Sequence, residues 1–220
     1  MSCRSGARHL AVNVHRQLSR RAQARRVAIA ASAAVALFFG NSADAHMGTG
    51  LAGGYGSGFR HPFSGADHLL AMVSVGLWGA FLGRPLIVAL PVIFPAVMVA
   101  GAVMGMVGVP LPPVELGIAL SVTVLGSCIA LSLKAPVWVA AAIVAIFAIF
   151  HGYAHGKELP SAADPIGYSF GFVLATGLLH VLGVGIGFLN HRPVGVRVTR
   201  GLGVLIAGAG TWFLCKALVL

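Results

Sequence analysis

Apolar residues run along this chain in six long blocks, which we place at about 64–83, 86–108, 115–133, 137–156, 166–189 and 202–219. Each is close to the roughly 20 residues an α-helix needs to cross ~30 Å of hydrocarbon. The blocks are separated by Arg84-Pro85, by Val109-Pro110-Leu111-Pro112-Pro113, by Lys134-Ala135-Pro136, by Leu159 to Pro165 and by Asn190 to Arg200. Proline and charge mark the breaks because neither continues a lipid-facing helix comfortably. The pattern predicts an all-α fold, a polytopic membrane bundle of about six transmembrane helices.

A further apolar stretch, Val27 to Gly40, has different flanks. Basic residues precede it and Ala43-Asp44-Ala45 follows it. Basic segment, apolar segment and A-x-A site in that order read as a secretory signal peptide over 1–45, cleaved after Ala45. An uncleaved signal anchor is the alternative. Ser19-Arg20-Arg21 hints at twin-arginine export, but the apolar residues usual after the pair are missing, so Sec and Tat both stand. Residues 46–220 then form one six-helix transmembrane domain starting at His46.

Composition agrees with a lipid solvent. Apolar residues make up 58% of the chain and charged residues 9%, with mean hydropathy +0.92, against about 25% charged in a soluble domain. The net charge of +10 resembles a nucleic-acid signal, but Arg4, Arg8, Arg16, Arg20, Arg21, Arg25 and Arg26 all precede the apolar part of the signal. No nucleic-acid partner is expected; the bilayer is. The glycine pairs Gly101/Gly105, Gly167/Gly171 and Gly183/Gly187 have the G-x-x-x-G spacing that lets helices pack closely. Cys128 and Cys215 stand alone in apolar runs and read as core residues.

With the mature N-terminus outside, the inner loops hold Arg84, Lys134, Arg192, Arg197 and Arg200. The outer segments hold Arg60 and Lys157, with Lys216 near the outer end of the last helix. That asymmetry follows the positive-inside rule and agrees with the signal peptide. Six spans then leave both mature termini periplasmic.

Ionisable groups within a membrane domain need a reason. Here they gather in two places, His61-Pro62-Phe63-Ser64-Gly65-Ala66-Asp67-His68 and His151-Gly152-Tyr153-Ala154-His155-Gly156-Lys157-Glu158. The derived topology puts both at the outer face, at the ends of the first and fourth spans. His151 and His155 are one helical turn apart and could clamp one ion, and Glu158 returns to their face if the helix continues. Imidazole with carboxylate suits Ni, Co, Zn or Cu, and the lack of a thiolate cluster argues against structural zinc.

Other roles compete. Ser64-x-x-Asp67 has capping-box spacing, so Asp67 reads either as a helix cap or as a ligand, and the first role does not exclude the second. Glu115 and Asp164 read as caps of the third and fifth helices. His180, well inside the fifth span, is either hydrogen-bonded within the bundle or a second station for an ion. His151-x-x-x-His155 has zincin spacing, but Gly152 takes the place of the general base in H-E-x-x-H. No Ser-His-Asp arrangement, P-loop or dinucleotide fingerprint is present, and the chain reads as a non-enzyme.

At these residues the sequence resembles the HupE/UreJ family of bacterial nickel and cobalt permeases. The likeness rests on His46, on His61-Pro62-x-x-Gly65-x-Asp67-His68-Leu69-Leu70-Ala71-Met72, on Phe150-His151-Gly152-x-Ala154-His155-Gly156-x-Glu158, and on Gly171-Phe172-Val173-Leu174-Ala175-Thr176-Gly177-Leu178-Leu179-His180. It covers nearly all of the mature chain; the long basic start is a departure. The resemblance implies secondary uptake of Ni²⁺ or Co²⁺ across the inner membrane, supplying urease, hydrogenase or cobalamin synthesis. The metal is cargo, and no prosthetic cofactor is expected. The implied metal-site residues are His46, His61, Asp67, His68, His151, His155, Glu158 and His180. Two other classes compete: a haem-binding membrane subunit, and a metal sensor or chaperone that does not transport.

Overall fold

The computed structural model describes residues 54–111, 113–159 and 164–219. The chain divides into two units, Met1–Asp44 and Ala45–Leu220, and every described residue belongs to the second. The expected signal peptide, its cleavage site and His46 lie outside the described residues.

The described residues form seven α-helices: α1 (Gly54–Ser64), α2 (Ala66–Leu82), α3 (Leu86–Met106), α4 (Val114–Ala130), α5 (Val137–Glu158), α6 (Pro165–Gly187) and α7 (Pro193–Val219). A 3-10 turn, Phe188–His191, joins the last two. There is no strand among them. Helices α3, α5, α6 and α7 are each long and apolar enough to cross a membrane, and α1 with α2 passes the same test as a pair. Helix α4, at 17 residues, is shorter, and at 1.5 Å per residue it spans ~26 Å. The chain is a multi-pass membrane protein built as a helical bundle.

Two expected boundaries are corrected. The first span was expected as one helix from 64, and it is instead two helices bent by 83° around Gly65. Asn190 to Arg200 was expected to be a loop, yet α7 starts at Pro193 and carries Arg197 and Arg200 in helix. Proline is well tolerated in a first helical turn, and nothing after it breaks the ladder. Arg200 Nε donates to the Ala130 carbonyl at 2.9 Å, so its charge ties α7 to the end of α4.

Helix α2 is the centre of the bundle. Ala71, Met72, Val75, Leu77 and Trp78 are all buried on it, and it packs against α3, α4 and α6. Trp78 Nε1 donates to the Leu133 carbonyl at 3.2 Å, satisfying the indole inside the apolar core. The strongest pairings join α3 with α5, α4 with α7, and α6 with α1 and α2. Outward positions such as Val88, Ile146, Phe170 and Val181 are exposed and apolar, as lipid contact requires. Cys128 is buried as expected; Cys215 is not a core residue but exposed on α7.

The α3–α5 contact fixes the site's frame. A β-carbon on Gly152 would overlap the Met98 carbonyl, and one on Gly156 the Ala102 carbonyl. From the other side, Gly101 and Gly105 meet the backbone at Ile149 and Tyr153. The two backbones touch along these turns, the contact that small residues permit between apolar helices. The buried stripe of α5 therefore runs Ala140, Val144, Ala148, His151, Gly152, His155 and Gly156. His151 and His155 continue a core stripe rather than facing lipid.

Candidate metal centre

Four helices bring the polar residues together. Helix α5 continues to Glu158, which returns to the face of His155. Glu158 Oε2 lies 3.7 Å from His155 Nδ1 and 3.4 Å from His61 Nε2 on α1. The three side chains offer ligand atoms within 4.8 Å of one another. Two donors bound to one ion at ~2.1 Å lie at most ~4.2 Å apart, so sub-ångström closure completes a three-donor site. The bend at Gly65 makes this possible, because it turns α1 across the bundle and puts His61 over α5 and α6.

One turn deeper, His68 on α2 faces α5. Its ring centroid is 4.8 Å from that of His155 and 4.9 Å from that of His151. Asp67 Oδ1 accepts the His68 backbone N–H at 2.8 Å and lies 3.0 Å from His68 Nδ1. A carboxylate only accepts, so Nδ1 carries the proton and Nε2 holds the lone pair. His151 Nδ1 is 2.9 Å from the Phe147 carbonyl, another pure acceptor, and the same tautomer follows. Its Nε2 is buried with no hydrogen-bond partner among the described residues. Orientation of a ligating imidazole through its second nitrogen is the usual support of metal-binding histidines.

His180 on α6 is fully buried and apart from both groups. Neither ring nitrogen has a hydrogen-bond partner of good geometry among the described residues, though the Pro91 backbone lies close enough to interact with the ring.

The capping expectations divide. Asp164 does cap α6, accepting from Gly167 N at 2.9 Å. Glu115 does not cap α4, whose N-cap is Pro113 with no side-chain bond, and it lies in the first turn instead. Ser64 is no capping-box partner of Asp67 either: Gly65 is the N-cap of α2, and the Ser64 hydroxyl donates back to the Arg60 carbonyl.

Several lining residues were not singled out from the sequence. Phe172 packs on His155 with centroids 4.2 Å apart, and Tyr168 stands 5.9 Å from His61. Thr176 is buried one turn from His180, its hydroxyl without a partner among the described residues. Tyr168, Phe172, Thr176 and His180 follow at i, i+4 on one face of α6, and that spacing was the available signal.

The fold and this cluster define a class: a polytopic helical membrane protein with a buried ladder of histidines flanked by carboxylates. Residues 18–213 match the family described as HupE / UreJ protein. The chain is also similar to "Protein HupE" of Rhizobium leguminosarum bv. viciae, 47% identical over 167 residues that cover 76% of this chain and 87% of that one. The chain belongs to the HupE/UreJ family. No solved structure matches it significantly.

Proposed function

We propose that this protein is a secondary permease that takes up nickel or cobalt ions across the bacterial inner membrane. The observation that carries the reading is the His61–His155–Glu158 group, three convergent donors where α1 crosses the end of α5. Imidazole and carboxylate together suit borderline divalent transition ions. The donor ladder leads from there to His68 and His151, and His180 is the station nearest the other end of α6. Family membership supports metal transport as the activity. The clustering of Arg84, Lys134, Arg192, Arg197 and Arg200 at the opposite end supports an orientation with the three-donor group facing the periplasm.

Release of a 1–45 signal peptide belongs to the same proposal, and it would leave His46 at the mature N-terminus on the periplasmic side. The ion is cargo, and its delivery would serve nickel enzymes such as urease and hydrogenase or cobalamin synthesis. A haem-binding role fits the geometry poorly. His68 stands 4.8 Å from His155 and 4.9 Å from His151, ring to ring, which leaves no flat slot for a macrocycle between them.

Uptake of radiolabelled nickel and cobalt by cells with and without this protein tests the proposal. Protein-dependent accumulation of either ion is the expected result. Binding to the purified protein without any change in cellular metal would refute transport and favour a sensor or chaperone.

A further inference from the structure

One aromatic side chain borders both of the deepest histidines of the donor ladder. The Phe94 ring on α3 lies 5.4 Å from the ring of His151 and 5.3 Å from that of His180. It is fully buried, as are both histidines. From His61 through His155, His68 and His151, successive imidazoles stand 4.8–4.9 Å apart. The next ring is a phenyl, which offers an ion no lone pair. A dry apolar constriction between polar stations is a barrier to ions and to water.

The helix around Phe94 carries two prolines. Pro91 and Pro95 both lie inside α3. Proline has no N–H, so the carbonyls of Ile87 and Pro91 lose their i+4 donors and the helix can kink there. The freed Pro91 carbonyl is turned toward His180. The other half of α3 is held: Gly101 and Gly105 lock it backbone to backbone against α5. Bending at Pro91–Pro95 therefore moves the Phe94 ring relative to a fixed His151.

We propose that Phe94 is the gate of the ion path, its ring closing the passage between His151 and His180 at rest and swinging aside through the loosened turn between Pro91 and Pro95. The inference rests on the permease reading above. Full-length protein in proteoliposomes, with a nickel-sensitive dye and a pH dye inside, tests it beside nickel binding in detergent. Wild type that carries neither nickel nor cobalt would refute the permease reading and take the gate with it. With wild type active, Phe94→Trp should keep nickel binding within about twofold. Its nickel flux should fall by about tenfold or more. Phe94→Ala should wet the passage and raise nickel-independent proton leak by about tenfold. If Phe94→Ala fails to accumulate, Phe94→Leu gives the same leak in smaller measure. Wild-type flux in Phe94→Trp, wild-type proton tightness in the smaller variants, or loss of binding in step with flux in Phe94→Trp would each overturn the gate.

Discussion

Asp67 holds His68 twice, accepting its backbone N–H at 2.8 Å and standing 3.0 Å from its Nδ1 through the same oxygen. One carboxylate thus fixes the start of α2 and the tautomer of a histidine in the ladder. Asp67→Asn separates the two roles. Asn keeps a side-chain oxygen to accept the His68 N–H, so the helix start should survive at a cost of about a few tenths of a kcal/mol. The amide lacks the charge that holds Nδ1–H toward it, and loss of such an outer partner weakens metal sites by about 10–100-fold. Asp67→Asn should be inserted at normal level and nearly inactive in nickel and cobalt uptake. Near-normal uptake would leave Asp67 with only its first-turn bond to the His68 N–H.

His151 and His155 share a face of α5 and both meet His68, but only His155 also meets His61 and Glu158, so their variants should differ in binding while agreeing in transport. Each change to Ala should abolish uptake, and the double variant should be no worse, because members of one functional unit are strongly non-additive. In detergent, His155→Ala should lose high-affinity nickel binding and His151→Ala should retain it. Equal loss of binding in both would merge the two groups into one site.

Glu158→Gln tests the carboxylate of the three-donor group. The shape is kept while the anionic ligand 3.4 Å from His61 Nε2 is replaced by a neutral one. Nickel affinity, measured by titration calorimetry, should fall by about tenfold or more, ~1.4 kcal/mol. Unchanged affinity would remove Glu158 from the site.

Gly152→Ala probes packing rather than chemistry. A methyl there meets the Met98 backbone, which has no flexible end to yield. The cost should reach about 3 kcal/mol, the upper range for overpacking. Lower membrane levels and a reduced melting temperature are expected; a fully stable variant would show that α3 and α5 separate easily.

Topology and processing can be read directly. The protein recovered from membranes should begin at His46, and recovery of Met1 would refute cleavage. A C-terminal alkaline phosphatase fusion should be active and a green fluorescent fusion dark. The reverse would put Leu220 on the cytoplasmic side.

The sequence by itself determined that this is a membrane bundle, because an apolar run of span length has no other stable solvent and its breaks are written in proline and charge. It also determined that His151, His155 and Glu158 share a face, since i, i+4 and i+7 relations are fixed by helix geometry alone. The kink at Gly65 and the continuation of α7 back to Pro193 were not legible, because a lone glycine or a basic residue breaks a helix or does not according to what it packs on. Tertiary structure alone decided that Glu158 joins His61 and His155, and that His68 stands against both His155 and His151. It alone set Phe94 against both His151 and His180. Those neighbours come from different helices, and their register depends on how close α3 and α5 approach at Gly101, Gly105, Gly152 and Gly156, a contact between segments some fifty residues apart in the chain.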